Sequence, residues 1–400
     1  MPPLSSTLER FQPSAISQIF SLAARLKEAG EEIADFSTGE PDFETPDHIK
    51  RAAIEAINRG ETRYTAVDGT TILKEAIAEK FRRDNKLDYD PGQIFVHSGA
   101  KPLLADIFRT MLDPGDEVIV PTPCWPSHPG AILAAGGRPV FVRADVSTGY
   151  RIDAAQLEAA ITPRTRALVL CSPSNPTGAA YGAEDLETFA EVLLKYPDVW
   201  VVTDDLYEHV VFDDFPFATI AAVAPPLKER TITVNGVSKA YAMTGWRIGY
   251  AGLPEEFMAG LLQLASQTTG NPSSMGQAAA IAALTGPQDF LQARAQAFER
   301  RRDKALMILN QVDGLTCSMP EGAFYLFPDC RKLFGRSTPA GARIDNSTDL
   351  CRYLLEDWKV ATVPGSAFEA EGGFRISIAV SDAELERGCM LIRQACAALD

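Results

Sequence analysis

The sequence predicts an α/β protein: a large domain around a mostly parallel mixed central sheet, and a smaller α+β domain built from both termini. Three observations carry this. Through the middle of the chain, short apolar runs alternate with amphipathic helical patterns. Those runs are apolar almost without interruption, as in strands that helices cover on both faces. The two ends of the chain depart from that alternation. The expected limits are 48–297 for the large domain, and 1–47 with 298–400 for the small one.

Each element has its own signal. Residues 16–29 repeat apolar positions at helical spacing. Residues 94–97 form a short strand, followed by a helix through Leu103, Leu104, Ile107, Phe108 and Met111. Strands are expected at 117–120, closed by Pro121, at 139–142 and at 167–171, stopped by Pro173. Residues 186–196 place Leu186, Phe189, Ala190, Leu193 and Leu194 on one helical face. Strands follow at 200–203 and 231–234. Beyond a charge-rich helix at 299–311 come strand-like pieces at 323–327, 360–363 and 374–379, then a last helix at 382–399.

Composition narrows the function classes. Of 400 residues, 46% are hydrophobic and 23% charged, which excludes a disordered chain and suffices for a large core. The net charge of −15 argues against a nucleic-acid partner, because phosphate is repelled unless a basic patch is segregated. Arg300, Arg301 and Arg302 fall in a helical pattern and read as a solvated face. Seven cysteines, without a Cys-x-x-Cys pair, read as free thiols of a reducing cytosol. Four histidines far apart in sequence show no metal spacing, so no metal is expected. Residues 1–12 lack the apolar core of an export signal, and no apolar run approaches 18 residues. A cytoplasmic protein with no membrane partner is the expectation.

Parallel sheets bind ligands at the carboxyl ends of their strands. Four such ends carry unusual residues. Ser98-Gly99-Ala100-Lys101 opens a helix, where free N–H groups and the helix dipole suit an anion. An ordinary tight turn explains that string as well. Ser172-Pro173-Ser174-Asn175-Pro176-Thr177-Gly178 is a rigid loop that presets Asn175 as a hydrogen-bond donor. Asp204 ends a buried strand, where a carboxylate needs a cationic partner, whereas Asp205 could cap the next turn. Lys239 follows another strand, and burial beside cations turns a lysine into a nucleophilic amine. Arg247 stands eight residues on. An anion cradle, a fixed amide, a buried carboxylate, a reactive lysine and an arginine together suit pyridoxal 5′-phosphate.

The sequence resembles a fold-type I, class I aminotransferase of the bacterial aspartate aminotransferase subgroup. The strings that carry the resemblance are Gly39-Glu40-Pro41-Asp42-Phe43, Tyr64-Thr65, Asp113 to Val118, Ser172 to Gly178, Asp204 to Glu208, Val234 to Tyr250, Pro320 to Tyr325 and Phe374-Arg375-Ile376-Ser377. The resemblance implies that Lys239 carries the cofactor and shuttles the proton, and that Asp204 pairs with its ring nitrogen. Asn175 and Tyr207 would bond the ring oxygen, and Trp125 would stack on the ring. Arg247 with the Gly99 and Ala100 amides would hold the phosphate. Tyr64 would reach it from the other subunit of a homodimer. Arg375 would clamp the substrate α-carboxylate, a task suited to a forked guanidinium, with Gly39 offering its backbone. Lys101 would meet the distal carboxylate, which favours aspartate as amino donor and 2-oxoglutarate as acceptor.

The chain departs from the family pattern around the pocket. Cys124 replaces an aromatic before Trp125, Pro126 follows it, His128 replaces a further aromatic, Pro102 opens what is expected as a loop after Lys101, and Ile378 replaces a tyrosine. These changes are expected to touch the substrate pocket and not the cofactor shell. Gln12 stands where members that aminate prephenate carry a basic residue, so prephenate is not the expected substrate. Two alternatives stay open on the same cofactor: a neutral, aromatic or unusual amino acid, or a lyase. A cofactor-binding transcription regulator is disfavoured by the roughly 40 residues before Gly39. A dinucleotide-dependent dehydrogenase lacks its Gly-x-Gly-x-x-Gly turn.

Overall fold

A computed structural model describes residues 5, 8, 10, 11 and 15–400. Gln12 and most of residues 1–12 lie outside the described residues.

Seven strands form the central sheet: β1 (Ile94–His97), β2 (Glu117–Thr122), β3 (Arg138–Arg143), β4 (Thr165–Cys171), β5 (Trp200–Asp204), β6 (Thr231–Gly236) and β7 (Gly249–Gly252). Their spatial order is β1-β7-β6-β5-β4-β2-β3. The pairs β3–β2, β2–β4, β4–β5 and β5–β6 are parallel, while β7 runs antiparallel to both β1 and β6. The sheet is therefore mixed and mostly parallel.

Side chains alternate between its two faces. Val118, Val120, Ala167, Val169 and Val202 pack with Leu103, Ile107, Phe257 and Leu261 of the helices Ala100–Met111 and Glu255–Gln267. Ile119, Leu168, Leu170 and Val201 pack on the opposite side with Leu157, Leu186, Phe189 and Leu193. Burial on both faces is why these strands read as unbroken apolar runs.

Several elements differ from expectation for identifiable reasons. Strand β2 does not close at Pro121 but continues to Thr122. Its ladder with β4 extends only from Glu117 to Ile119, so the missing N–H of Pro121 costs no bond on that side. Pro102 lies in no loop: it sits in the first turn of the helix Ala100–Met111, where a backbone N–H has no helical acceptor. The helix expected at 186–196 is Ala183–Leu193, because its acidic first turn, Glu184 and Asp185, suits the helix N-terminus. Strand β7 has no counterpart in the expected elements. Its sequence, Gly249-Tyr250-Ala251-Gly252, has no β-branched run. A Cβ on Gly249 would collide with the backbone of Gly99 and Ala100, so this glycine lets the loop after β1 lie flat on the strand.

The two ends of the chain share one core. Ile19, Ala23, Ile33 and Phe36 pack with Leu309, Leu350, Leu354, Leu385 and Ile392. Ala34–Asp35 pairs in parallel with Val360–Ala361. A small antiparallel sheet orders Val363–Pro364, Phe374–Ser377 and Tyr325–Leu326 side by side. The stretch expected as one strand at 360–363 breaks at Thr362 into two pieces, each in a different sheet. The 21-residue helix Asp289–Leu309 has Leu291 in the cluster with Ile77 and Tyr241, and Phe298 onward in the cluster of the chain ends. Among the described residues, no helix is long and apolar enough to cross a membrane.

Candidate active site

A cavity of about 240 Å³ opens at the carboxyl ends of β4, β5 and β6, closed from above by residues of the two chain ends. Gly39, Trp125, Asn175, Asp204, Tyr207, Lys239 and Arg375 all line it. A larger cleft of about 590 Å³ lies between residues 143–156 and 327–373, but it contains no lysine, and no residue of the predicted site lines it. The chemistry converges in the smaller one.

Asp204 ends β5 and is buried. Its Oδ2 meets His128 Nε2 at 2.9 Å. His128 sits in the helix Ser127–Ala134, its ring edge-on to Trp125 at 5.4 Å between centroids. His128, expected to touch the substrate pocket, does not line the cavity. The histidine holds the carboxylate expected to face the ring nitrogen. The neighbouring Asp205 does not cap a turn with its side chain: it is buried with Oδ2 unpartnered, and burial pushes its carboxyl well above the usual range.

Lys239 follows β6 and donates from Nζ to the Gly39 carbonyl at 2.7 Å. Burial, and then the Arg375 cation, bring its amine from 10.5 down to about 8, against the pull of Asp204 and Glu40. About a tenth of the amine is therefore neutral at pH 7.

Arg375 lies on the strand Phe374–Ser377 and is only 4% exposed. It donates from Nη1 to Asn175 Oδ1 at 3.0 Å and from Nη2 to the Ser37 carbonyl at 2.6 Å. Its guanidinium lies 4.6 Å from the Tyr325 ring centroid and 5.1 Å from that of Phe368. Its Nε has no partner, and among the described residues no carboxylate forms an ion pair with it. A buried cation with a spare donor and no counter-ion is costly unless an anion completes it. Asn175, expected as a donor, accepts here through Oδ1, which leaves its Nδ2 as the donating end.

Tyr207 is buried, and its Oη lies 2.9 Å from the Oη of Tyr325. Burial raises the titration of both phenols. Behind Tyr207, Glu208 pairs with the buried Lys80 and accepts from Asn85 Nδ2 at 2.6 Å. No metal spacing is visible in the sequence, yet the fold brings ligand atoms of Asp84, Glu208 and His209 within 4.8 Å of one another. The Lys80 ammonium already sits on Glu208 there.

The remaining predicted residues do not line the cavity. Gly99 has φ +101° and precedes the helix Ala100–Met111. A Cβ on Gly99 would collide with the Arg247 guanidinium, so the arginine lies directly against this loop. Arg247 Nη1 donates to the Thr244 carbonyl at 2.7 Å. Lys101 is exposed, its Nζ 5.8 Å from the Trp125 ring centroid. Tyr64 is 98% exposed and lines no part of the cavity.

Tyr325 and Ser37 were given no role by the sequence, yet both line the cavity. The signal for Tyr325 was present, since it ends one of the strings that carried the resemblance. Ser37 acts through its carbonyl, which no residue type reveals.

The family described as Aminotransferase class I and II matches residues 31–392. The chain is 53% identical over 392 residues to an aspartate aminotransferase of Rhizobium meliloti strain 1021, covering 98% of this chain and 96% of that one. It is 49% identical to an aspartate/prephenate aminotransferase of Cereibacter sphaeroides, covering 99% of each. The crystal structure of the aspartate aminotransferase from Rhizobium meliloti superposes with a TM-score of 0.97 at 52% identity, covering 100% of both chains. Aspartate aminotransferase from Thermus thermophilus with maleate superposes at 0.91 and 38% identity, covering 99% of this chain and 100% of that one.

Proposed function

The chain belongs to the class I and II aminotransferases and has their fold-type I architecture, and we propose that it moves the amino group of aspartate to 2-oxoglutarate by ping-pong chemistry on pyridoxal 5′-phosphate. The observation that carries this reading is the buried, unpaired guanidinium of Arg375, facing a cavity that also holds a low-pKa lysine and a fixed carboxylate.

The residues fit the cofactor. Lys239 supplies the amine that would carry it. Asp204, held by His128, would keep the ring nitrogen protonated. Trp125 would cover one face. The Nδ2 of Asn175 and the hydroxyl of Tyr207 are the donors for the ring oxygen. The Ala100 N–H at the helix start would cradle the phosphate with Arg247, which lies against Gly99, whereas the Gly99 N–H donates to the His97 carbonyl at 2.7 Å. When bound, the cofactor supplies an electron sink for the carbon that loses its amino group.

Around it the protein's own groups do the rest. The fork of Arg375 would grip the substrate α-carboxylate and orient the α-carbon, with the Gly39 backbone beside it. Lys239 Nζ, neutral in part at physiological pH, would take the proton from that carbon. Lys101 would meet the distal carboxylate of a dicarboxylic substrate. The aspartate aminotransferases among the relatives support aspartate as donor.

We further propose a cytoplasmic homodimer in which Tyr64 completes the partner's phosphate site. A tyrosine 98% exposed suits a residue meant for another surface. The parts 48–297 and 1–47 with 298–400 would act as two domains closing on the cavity.

Absorbance decides the main point. The purified protein should show the visible band of a lysine-bound cofactor, lost in Lys239→Ala. Aspartate should bleach it, and 2-oxoglutarate should restore it. A colourless protein overturns the cofactor reading. A band unmoved by aspartate but bleached by an aromatic or neutral amino acid reassigns the donor. Prephenate belongs in the same panel of acceptors, given the relatives named for it.

A further inference from the structure

We propose that Tyr325 is a positioning residue that aims the Tyr207 hydroxyl into the cavity and links it to the carboxylate clamp. This rests on the cofactor reading above and deepens it.

Three contacts converge on this one side chain. Its Oη lies 2.9 Å from the Tyr207 Oη, and neither hydroxyl has another hydrogen-bond partner among the described residues. Its ring carries the Arg375 guanidinium at 4.6 Å. Its hydroxyl lies 2.8 Å from where a Cβ of residue 39 would stand, so the glycine there is what leaves it room. The same Gly39 accepts the Lys239 amine through its carbonyl.

A pair of hydroxyls shares one bond, so one proton remains over. If Tyr207 donates to Tyr325, the spare proton belongs to Tyr325, which has no acceptor in its buried position. If Tyr325 donates to Tyr207, the spare proton is that of Tyr207, the hydroxyl expected to bond the cofactor's ring oxygen. An anionic acceptor in the cavity selects the second arrangement, and a donated bond makes Tyr207 the stronger donor in turn. Tyr325 thus acts on the cofactor through Tyr207, while its ring supports Arg375 independently.

The groups facing this pair set the electrostatics of any titration. Arg375, Cys171 and Lys239 lie against Tyr207. Asp204 with His128, Glu40 and Arg247 face the lysine. None of these changes in Tyr325→Phe, which removes a single oxygen and keeps the ring under Arg375.

The test is the pH titration of the visible band of the holoenzyme. In Tyr325→Phe the band's pKa should rise by about half a pH unit, because a weaker Tyr207 bond stabilises the ring oxygen's charge less. The KM for aspartate should stay within about twofold of the parent, since the Phe ring still supports the clamp. In a Tyr207→Phe background the same substitution should shift nothing. A shift of equal size in that background, or no shift in the single variant, overturns the inference. Should Tyr325→Phe fail to fold, 3-fluorotyrosine at position 325, a stronger donor, must move the pKa downward; an upward or absent shift overturns the inference equally. A parent protein without a visible band instead overturns the cofactor reading on which the inference stands.

Discussion

Replacing Lys239 by methionine should stabilise the cofactor-free protein near pH 7 and leave its stability nearly unchanged at pH 9.5. The unfolded amine titrates at 10.5 and the folded one at about 8. Below pH 8 the amine is mostly charged in both states, and folding carries an ammonium into the cavity wall. The gap between the two values, at about 1.36 kcal/mol per unit, puts that cost at about 3 kcal/mol. Between pH 8 and 10.5 the unfolded chain holds a proton that the folded one lacks, so the parent gains stability as pH rises. By pH 9.5 the cost has fallen to roughly 1.4 kcal/mol. Methionine removes it but also removes the bond to the Gly39 carbonyl, which is about 1 kcal/mol. The net gain is then about 2 kcal/mol at pH 7 and close to zero at pH 9.5. Urea unfolding of both apo proteins at the two pH values measures the difference. A variant less stable than its parent at pH 7, or a gap that does not shrink as pH rises, refutes the reasoning.

Three other substitutions probe the supports of the site. His128→Phe takes away the buried partner of Asp204, so cofactor affinity should fall by about 1–3 kcal/mol, roughly 5- to 150-fold, in equilibrium dialysis. Unchanged affinity would show that Asp204 needs no holder. Gly249→Ala drives a methyl group into the backbone of Gly99 and Ala100 and should cost about 1–3 kcal/mol in unfolding, with weaker binding of inorganic phosphate to the apo protein. Lys80→Met leaves Glu208 buried without its cation and should destabilise by about 3–5 kcal/mol. Burial raises the Glu208 carboxyl, but Lys80 and His209 hold it far below its usual range, so its contribution persists across the neutral range.

What could be read from the sequence was what runs along the chain. Val118 to Val120 and Ala167 to Cys171 announced strands, because both their faces are covered. Asn175, Asp204 and Lys239 stood at strand ends, where a parallel sheet exposes its ligands. What could not be read joins residues far apart. His128 and Asp204 are 76 positions apart, and Tyr207 and Tyr325 are 118 apart. A histidine replacing an aromatic reads as a change of lining; only its distance to a carboxylate makes it a holder. The strand β7 escaped because its two glycines suppress the apolar signal. The glycines serve neighbours on other elements: a Cβ on Gly252 would strike the ring of Tyr89.

The bonds around Arg375 also govern the order in which the site comes into being. Ser37 and Arg375 are separated by 338 residues, and Asn175 and Arg375 by 200. As the chain leaves the ribosome, Asp204, Lys239 and Arg247 emerge well before the strand Phe374–Ser377. The seven strands of the central sheet are complete by Gly252, while Ala34–Asp35 must wait for Val360–Ala361. The cofactor half of the cavity can thus assemble while the grip on substrate does not yet exist. Closing so long a loop adds only about 0.6 kcal/mol per doubling of its length, so the delay is one of timing more than of energy. On the proposed roles, a nascent chain would complete its cofactor residues first, and its grip on substrate would come only when the last tenth of the polypeptide folds back onto the first.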